Sequence, residues 1–147
     1  MPTSRDHLAA ASLEGKFHAI SGRSGFALRS ANEMFDPIAG MWSARAPIPT
    51  PRGGIAAAEL GGEIYVFGGE GNPADPNGVF HQVEAYNPST NAWRAETPMP
   101  FPRHGIGSAV FGGRIHIPGG GPVEGFGATA HHDSFCPAGC ASAWRAR

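Results

Sequence analysis

Short apolar runs broken by clusters of glycine, proline and asparagine set the rhythm of this chain, and the runs alternate with a period of two rather than 3.6. Between residues 53 and 96 the pattern predicts four strands. Residues 53–60 carry small side chains and end at the Gly61-Gly62 turn, a hairpin signal into residues 63–67. The Gly68-Gly69 pair ends that second strand. A glycine- and proline-rich loop, residues 71–78, then leads to a strand at 80–86, the turn Asn87-Pro88-Ser89-Thr90-Asn91 and a last strand at 92–96. These four make one antiparallel meander. The opening run Gly53-Gly54-Ile55-Ala56-Ala57-Ala58 suits an innermost strand, because a crowded centre admits only small side chains. The flanking glycines and the length of the run favour strand over an alanine-rich helix.

The same meander occurs three times. Met1-Pro2-Thr3-Ser4-Arg5, Ile48-Pro49-Thr50-Pro51-Arg52 and Met99-Pro100-Phe101-Pro102-Arg103 are versions of one phrase, at spacings of 47 and 51. Gly15, Gly62 and Gly113 each follow the repeated arginine by ten residues. Phe35-Asp36-Pro37 leads to Trp42, Tyr86-Asn87-Pro88 to Trp93, and Phe135-Cys136-Pro137 to Trp144, the last with two extra residues. A single domain of three modules, 1–47, 48–98 and 99–147, therefore accounts for the 147 residues. Module one has Glu14-Gly15 and Ser21-Gly22 where its siblings pair glycines, which is tolerable if the first of each pair lies outside the strained turn position. Module three carries Pro118 at a strand end, and residues 136–147 depart furthest from the pattern.

The double glycine, the aromatic followed by tryptophan and the Pro-Arg opening together resemble the Kelch repeat. The resemblance implies an all-β fold: a partial β-propeller of three Kelch blades, each a four-stranded antiparallel meander, the last one incomplete. Propellers close at about four to eight blades, so three cannot seal a ring. The outward faces of modules one and three, expected to be apolar, would stay bare. Two explanations follow. The chain is a truncated piece of a longer propeller, or two copies form a homodimer that completes a six-bladed ring about a twofold axis.

Composition narrows the partners. The 22 glycines and 14 prolines exclude long helices, while 41% apolar and 16% charged residues argue against disorder. A net charge of −1 and a pI near 6.6 give no field to gather nucleic acid or a membrane surface. The N-terminal residues lack the basic and apolar regions of a secretory signal, so the expected location is cytoplasmic unless a secreted parent protein is the source. Cys136 and Cys140 are too few for a disulfide framework, and the sequence leaves open whether they pair.

Arg5, Arg52 and Arg103 each precede an innermost strand, which places them at the channel mouth by register. Converging guanidinium groups would suit an acidic peptide or a small anionic ligand, and in Kelch domains that bind acidic peptides arginines at this position contact the ligand. The alternative is architectural: bridges between adjacent blades through an acidic column, Glu33, Glu84 and Asp133. His7 and His104 lie just after the arginines and could join a polar pocket. His131, His132, Asp133, Cys136 and Cys140 carry zinc-ligand atoms, but the repeat explains that segment as a third strand, and neighbouring strand residues face opposite sides. No metal and no cofactor are expected. Gly119-Gly120-Gly121 runs into no helix, so it is no phosphate loop, and the tryptophans read as packing anchors because they recur once per module.

Two function classes remain. One is a non-catalytic binding or scaffold module presenting a basic mouth to a protein, peptide or anionic ligand. The other, by resemblance to sialic-acid mutarotases and to the central domain of galactose oxidase, is a carbohydrate-active enzyme with a sugar ligand. A copper-radical site would draw on tyrosines, and Tyr65 and Tyr86 both occupy repeat positions. A mutarotase would draw on His7, His104 and the arginines as acid and base.

Overall fold

A computed structural model of the chain describes residues 1–137 and 140–146, and its regular elements are all strands. The first sheet begins with β1 (Ala9–Leu13) and β2 (Lys16–Ile20), and a small hairpin, β3 (Arg23–Ser24) and β4 (Ala27–Leu28), fills the next loop. The sheet is completed by β5 (Asn32–Asp36) and β6 (Met41–Arg45). The second contains β7 (Ala56–Leu60), β8 (Glu63–Phe67), β9 (Val83–Asn87) and β10 (Ala92–Ala95). The third contains β11 (Ala109–Phe111), β12 (Arg114–Pro118), β13 (His132–Phe135) and β14 (Trp144–Ala146). Each is an antiparallel meander. β7 touches both β1 and β11, so the three sheets stand side by side as blades with these strands innermost.

The register repeats with the sequence. Phe17 faces Phe35 and Phe35 faces Trp42; Ile64, Tyr86 and Trp93 align in the same way, and so do Ile115, Phe135 and Trp144. The two extra residues before Trp144 fall between the strands, so β14 pairs in register and completes a four-stranded third sheet, which corrects the expectation of an incomplete last blade; Cys136 and Cys140 form a disulfide. Of the stretch 136–147, residues 138, 139 and 147 lie outside the described residues. The innermost strands start later than the small-residue runs suggest. Gly53 and Gly54 leave the strand because their backbone groups bond Glu70 and His7 instead.

Two apolar clusters form the core, and both lie between blades. Ala9, Ala11, Leu13 and Ile20 of blade 1 pack against Ile55, Ile64, Val66 and Tyr86 of blade 2. The opposite face of blade 2, with Ala56, Ala58, Tyr65 and Phe67, packs against Ile106, Ile115, Ile117 and Phe135 of blade 3. Only the middle blade therefore hides both faces. The outward face of blade 1 is aromatic, with Phe17, Phe35 and Trp42 in mutual ring contact at 5.1–5.3 Å. That of blade 3 corrects the expectation of a second apolar face. Positions held by Tyr65 and Val83 in blade 2 hold His116 and His132 in blade 3, whose ring nitrogens lie 3.0 Å apart, and Arg114 stands beside them.

Module one departs from the expected tolerance as well. Glu14 and Ser21, which replace the first glycine of each pair, adopt φ of 52° and 55°, within the left-handed region where side chains are strained. Ser21 is compensated: its hydroxyl lies 2.9 Å from the carbonyls of both Arg29 and Arg52 and accepts the Arg52 amide. Glu14 is exposed and has no such compensation. Glu14→Gly should stabilise the fold by about 0.5–1 kcal/mol in urea denaturation, whereas an unchanged or lower stability would show that the turn carries no strain.

His18 is buried in the first interface, with Nδ1 2.9 Å from Asn32 Oδ1 and its ring 5.3 Å from Tyr86. Burial pushes its imidazole below the usual 6.5; the Asn32 contact opposes this and the charge of Arg45 adds to it. The unfolded chain then binds a proton that the folded chain refuses. Stability should fall as pH drops through 6.5 toward the lower folded value. Melting curves of His18→Gln should lack that part of the pH slope.

Candidate functional site

The repeated arginines are the internal ties of the blades. Their side chains are fully buried, and each meets an acid on the third strand of its own blade: Arg5 with Glu33 at 2.6 Å, Arg103 with Asp133 at 2.8 Å, and Arg52 with Glu84. Three further guanidinium N–H groups of each donate to backbone carbonyls. Arg5 reaches Thr3, Ala19 and Ser21, Arg52 reaches Thr50, Val66 and Gly68, and Arg103 reaches Phe101, Ile117 and Gly119. The phrase before each arginine finishes the arrangement. Thr3 and Thr50 donate their hydroxyls to Glu33 and Glu84. Blade 3 has Phe101 and the shorter Asp133; His131 Nε2 supplies the second contact at 2.9 Å, and its ring stacks on Phe101 at 4.6 Å.

These pairs are electrostatically committed. Burial works against the Glu33 carboxylate, yet hydrogen bonds from Thr3 and Arg5 hold it below the usual carboxylate range. Burial pulls the Arg52 guanidinium below its ordinary value, and Glu84 pulls it back. None of these three guanidinium groups faces the mouth, so Arg5, Arg52 and Arg103 do not form a basic mouth here. The acidic column serves the arginine of the same blade rather than bridging neighbours.

Neighbouring blades are joined by backbone instead. The Gly54 amide donates to the His7 carbonyl at 2.9 Å, and the Gly105 amide to the Gly54 carbonyl at 2.7 Å. Gly22 and Gly69 donate to the carbonyls of Arg52 and Arg103, both at 3.0 Å. Arg52 and Arg103 therefore each hold their own blade by the side chain and the preceding blade by the main chain. Further out, the indole N–H groups of Trp93 and Trp144 donate to the carbonyls of Ala46 and Thr97, which explains their recurrence once per blade.

His7 and His104 do come together. They line one cavity of about 550 Å³ at the mouth, with Arg23 and Glu70 in its wall and Phe26 and Phe126 at its rim. His104 is buried, with Nδ1 3.1 Å from Glu70 Oε2 and Nε2 2.8 Å from the Val123 carbonyl. Glu70 also accepts the Gly125 amide and faces Arg23 at 3.3 Å. Arg23 in turn meets His7 Nε2 at 3.0 Å and Asp6 at 3.4 Å. Phe26, at the tip of the β3–β4 hairpin, and Phe126, on the loop after β12, are both fully exposed.

Sequence reasoning missed Arg23, Glu70, Phe26 and Phe126. A signal existed for two of them: Arg23, Glu70 and Gly121 are the residues just past the recurrent glycine, and they differ where everything around them repeats. Tyr65 and Tyr86 sit on opposite faces of blade 2 and bond Glu63 and Asn91, so the structure does not bring them together. Burial and the Glu63 contact push the Tyr65 phenol up to about 12. The cysteines of the candidate zinc cluster are joined to each other, while His131 is held by Asp133 and His132 by His116.

Four-stranded meanders fanned about a line of innermost strands define an arc of β-propeller blades. Residues 51–100 match the Kelch motif family. Kelch-like protein terF of Aspergillus terreus is 35% identical over 141 residues, 93% of this chain and 30% of that protein. Kelch-like ECH-associated protein 1B of Danio rerio is 39% identical over 102 residues, 69% of this chain and 16% of that protein. Among solved structures, that of YjhT matches with a TM-score of 0.70 and 28% identity, over 82% of this chain and 35% of that chain. The chain thus spans about a third or less of the length of these relatives. It is a Kelch-repeat protein whose described residues form three propeller blades.

Because Arg52 is buried with its acid, Arg52→Ala should destabilise the chain by about 3–5 kcal/mol in denaturant unfolding, through the unpaired Glu84 left behind. A loss below about 1 kcal/mol would contradict the architectural assignment.

Proposed function

We propose that the chain is a non-catalytic, protein-binding Kelch module whose mouth grips an extended polypeptide. The observation that carries this reading is the pair Phe26 and Phe126, fully exposed at the rim of a cavity whose polar groups already satisfy one another. Exposed aromatics bracketing a concave polar floor are what an anchor side chain needs: apolar area to bury and water to displace. Relatives named for an association, Kelch-like ECH-associated proteins 1B and 1A of Danio rerio, support a binding role.

Recognition by this mouth rests on apolar contact rather than on anion capture. The three arginines that an acidic ligand would have used are buried, and Asp6, Glu70 and Glu124 accompany Arg23 at the mouth. A preferred ligand therefore carries a large apolar side chain seated between the two phenylalanines, with backbone groups bonding the loop edges. The carbohydrate-active reading draws no support from the mouth, since His104 and Glu70 are engaged with each other and with loop backbone.

Selection from a display library of short random peptides tests the proposal. Binders rich in Phe, Leu or Trp are expected, and the double change Phe26→Ser with Phe126→Ser should weaken them at least ~10-fold, about 1.4 kcal/mol, without moving the melting temperature. No enriched peptide, or peptides indifferent to the double change, would overturn it.

A further inference from the structure

The two joints within the arc are built alike, yet matching positions at their rims carry opposite charge. Between blades 2 and 3, a rim cavity is lined by Glu63, Tyr65 and Arg94 and closed by Cys136 and Pro137 of the following blade. Between blades 1 and 2, the corresponding cavity is lined by Lys16, His18 and Arg45 and closed by Tyr86 and Pro88. Strand register matches Lys16 to Glu63, His18 to Tyr65, Ser43 to Arg94 and Arg45 to Glu96. In the second joint Arg94 meets Glu63 at 2.5 Å and Glu96 at 2.9 Å. In the first joint both of those acids are replaced by cations.

Those cations lack a full complement of acids. Lys16 faces Asp36 at 3.6 Å, and Glu14 lines the cavity but is exposed. Arg45 has no carboxylate partner among the described residues; its Nη2 reaches the thioether of Met34 at 3.4 Å, a weak acceptor. Its charge acts inside the joint, adding to burial in lowering the His18 imidazole and opposing burial at the Tyr86 phenol. Two polar atoms there are also unpaired among the described residues. His18 is 2% exposed, and the Asn32 amide nitrogen is spent on the Ala46 carbonyl, so His18 Nδ1–H donates to Asn32 Oδ1 and Nε2 remains an acceptor without a partner. Ser43 Oγ, in register with His18 through Met34, is buried with no hydrogen bond. Such groups favour a polar occupant.

We propose that this cavity binds inorganic phosphate, with charged oxygens on Arg45 and Lys16 and a P–OH donating to His18 Nε2. At about 130 Å³ it holds about four waters at ~30 Å³ each, or one tetrahedral oxyanion. A guanidinium without an acid suits phosphate oxygens, which it meets in pairs. Phosphate keeps an O–H at neutral pH and sulfate does not, and a neutral buried imidazole nitrogen needs a donor. The ion gives the first joint the negative charge that Glu63 and Glu96 give the second. The cavity shares no residue with the mouth, so this site and the peptide reading stand or fall separately.

Titration of inorganic phosphate into the isotope-labelled chain, followed by NMR at pH about 7.5 with ionic strength held constant by chloride, tests this. The His18 ring and Arg45 guanidinium resonances should move saturably. Arg45→Gln should weaken binding at least ~10-fold while leaving the rest of the spectrum in place. If that variant fails to fold, Lys16→Gln should still weaken binding about 3-fold or more. Sulfate, with no hydrogen to offer Nε2, should bind at least ~10-fold more weakly than phosphate. A short phosphoserine peptide should also bind more weakly, because the chain behind its ester exceeds the cavity. No saturable shift with millimolar phosphate, the same shifts with chloride alone, binding indifferent to both substitutions, or sulfate or the peptide binding as tightly as phosphate would each overturn the proposal.

Discussion

Everything in this molecule hangs on a buried arginine at the entrance to each blade. Its side chain must be satisfied completely, since a guanidinium out of water is unfavourable unless its N–H groups find acceptors. The carboxylate and three backbone carbonyls that satisfy each of Arg5, Arg52 and Arg103 come from the same blade, which fixes the second and third strands relative to the loop that enters the first. The main chain at Arg52 and Arg103 then accepts a hydrogen bond from the blade before. One residue type thus sets both the internal geometry of a blade and its spacing to a neighbour. This role leaves its charge unavailable at the surface.

The consequence for function is that what repeats is scaffold and what varies is site. The residue just past each glycine pair is Arg23, Glu70 or Gly121, and the loops that follow differ in length and sequence. Those loops carry Phe26 and Phe126, and they bring His7 and His104 into the wall of one cavity. A mouth assembled from unlike loops on like blades can be reshaped without disturbing the apolar clusters beneath, because the two sets share few side chains. The same logic separates the ends of the arc from its middle: blade 2 is apolar on both faces, while blades 1 and 3 differ in what they present outward.

Much of the fold was legible before any coordinates. The three phrases, the period-two runs and the aromatic-to-tryptophan spacing foretold three meanders with an incomplete last one; the strands stand in that order, and β14 completes the third sheet against that expectation. The reading failed where one residue has two duties. Glu14 and Ser21 were expected to avoid the strained turn position and in fact occupy it, because the turn geometry belongs to the repeat and not to the residue placed there. The arginines were placed correctly along the chain but not in depth. Register tells which end of a strand a residue occupies; burial depends on the acid and carbonyls that surround it, and the acid and two of the three carbonyls come from residues 14 to 32 positions away.

The sequence alone determined the number of blades, the order of their strands and the anchoring role of the tryptophans, because each follows from local periodicity repeated at a fixed interval. Only the tertiary structure decided which charged groups are spent on architecture and which remain at the mouth, and which faces are left open. Those outcomes depend on who meets whom across blades, and a repeat makes every blade look alike until its neighbours are in place.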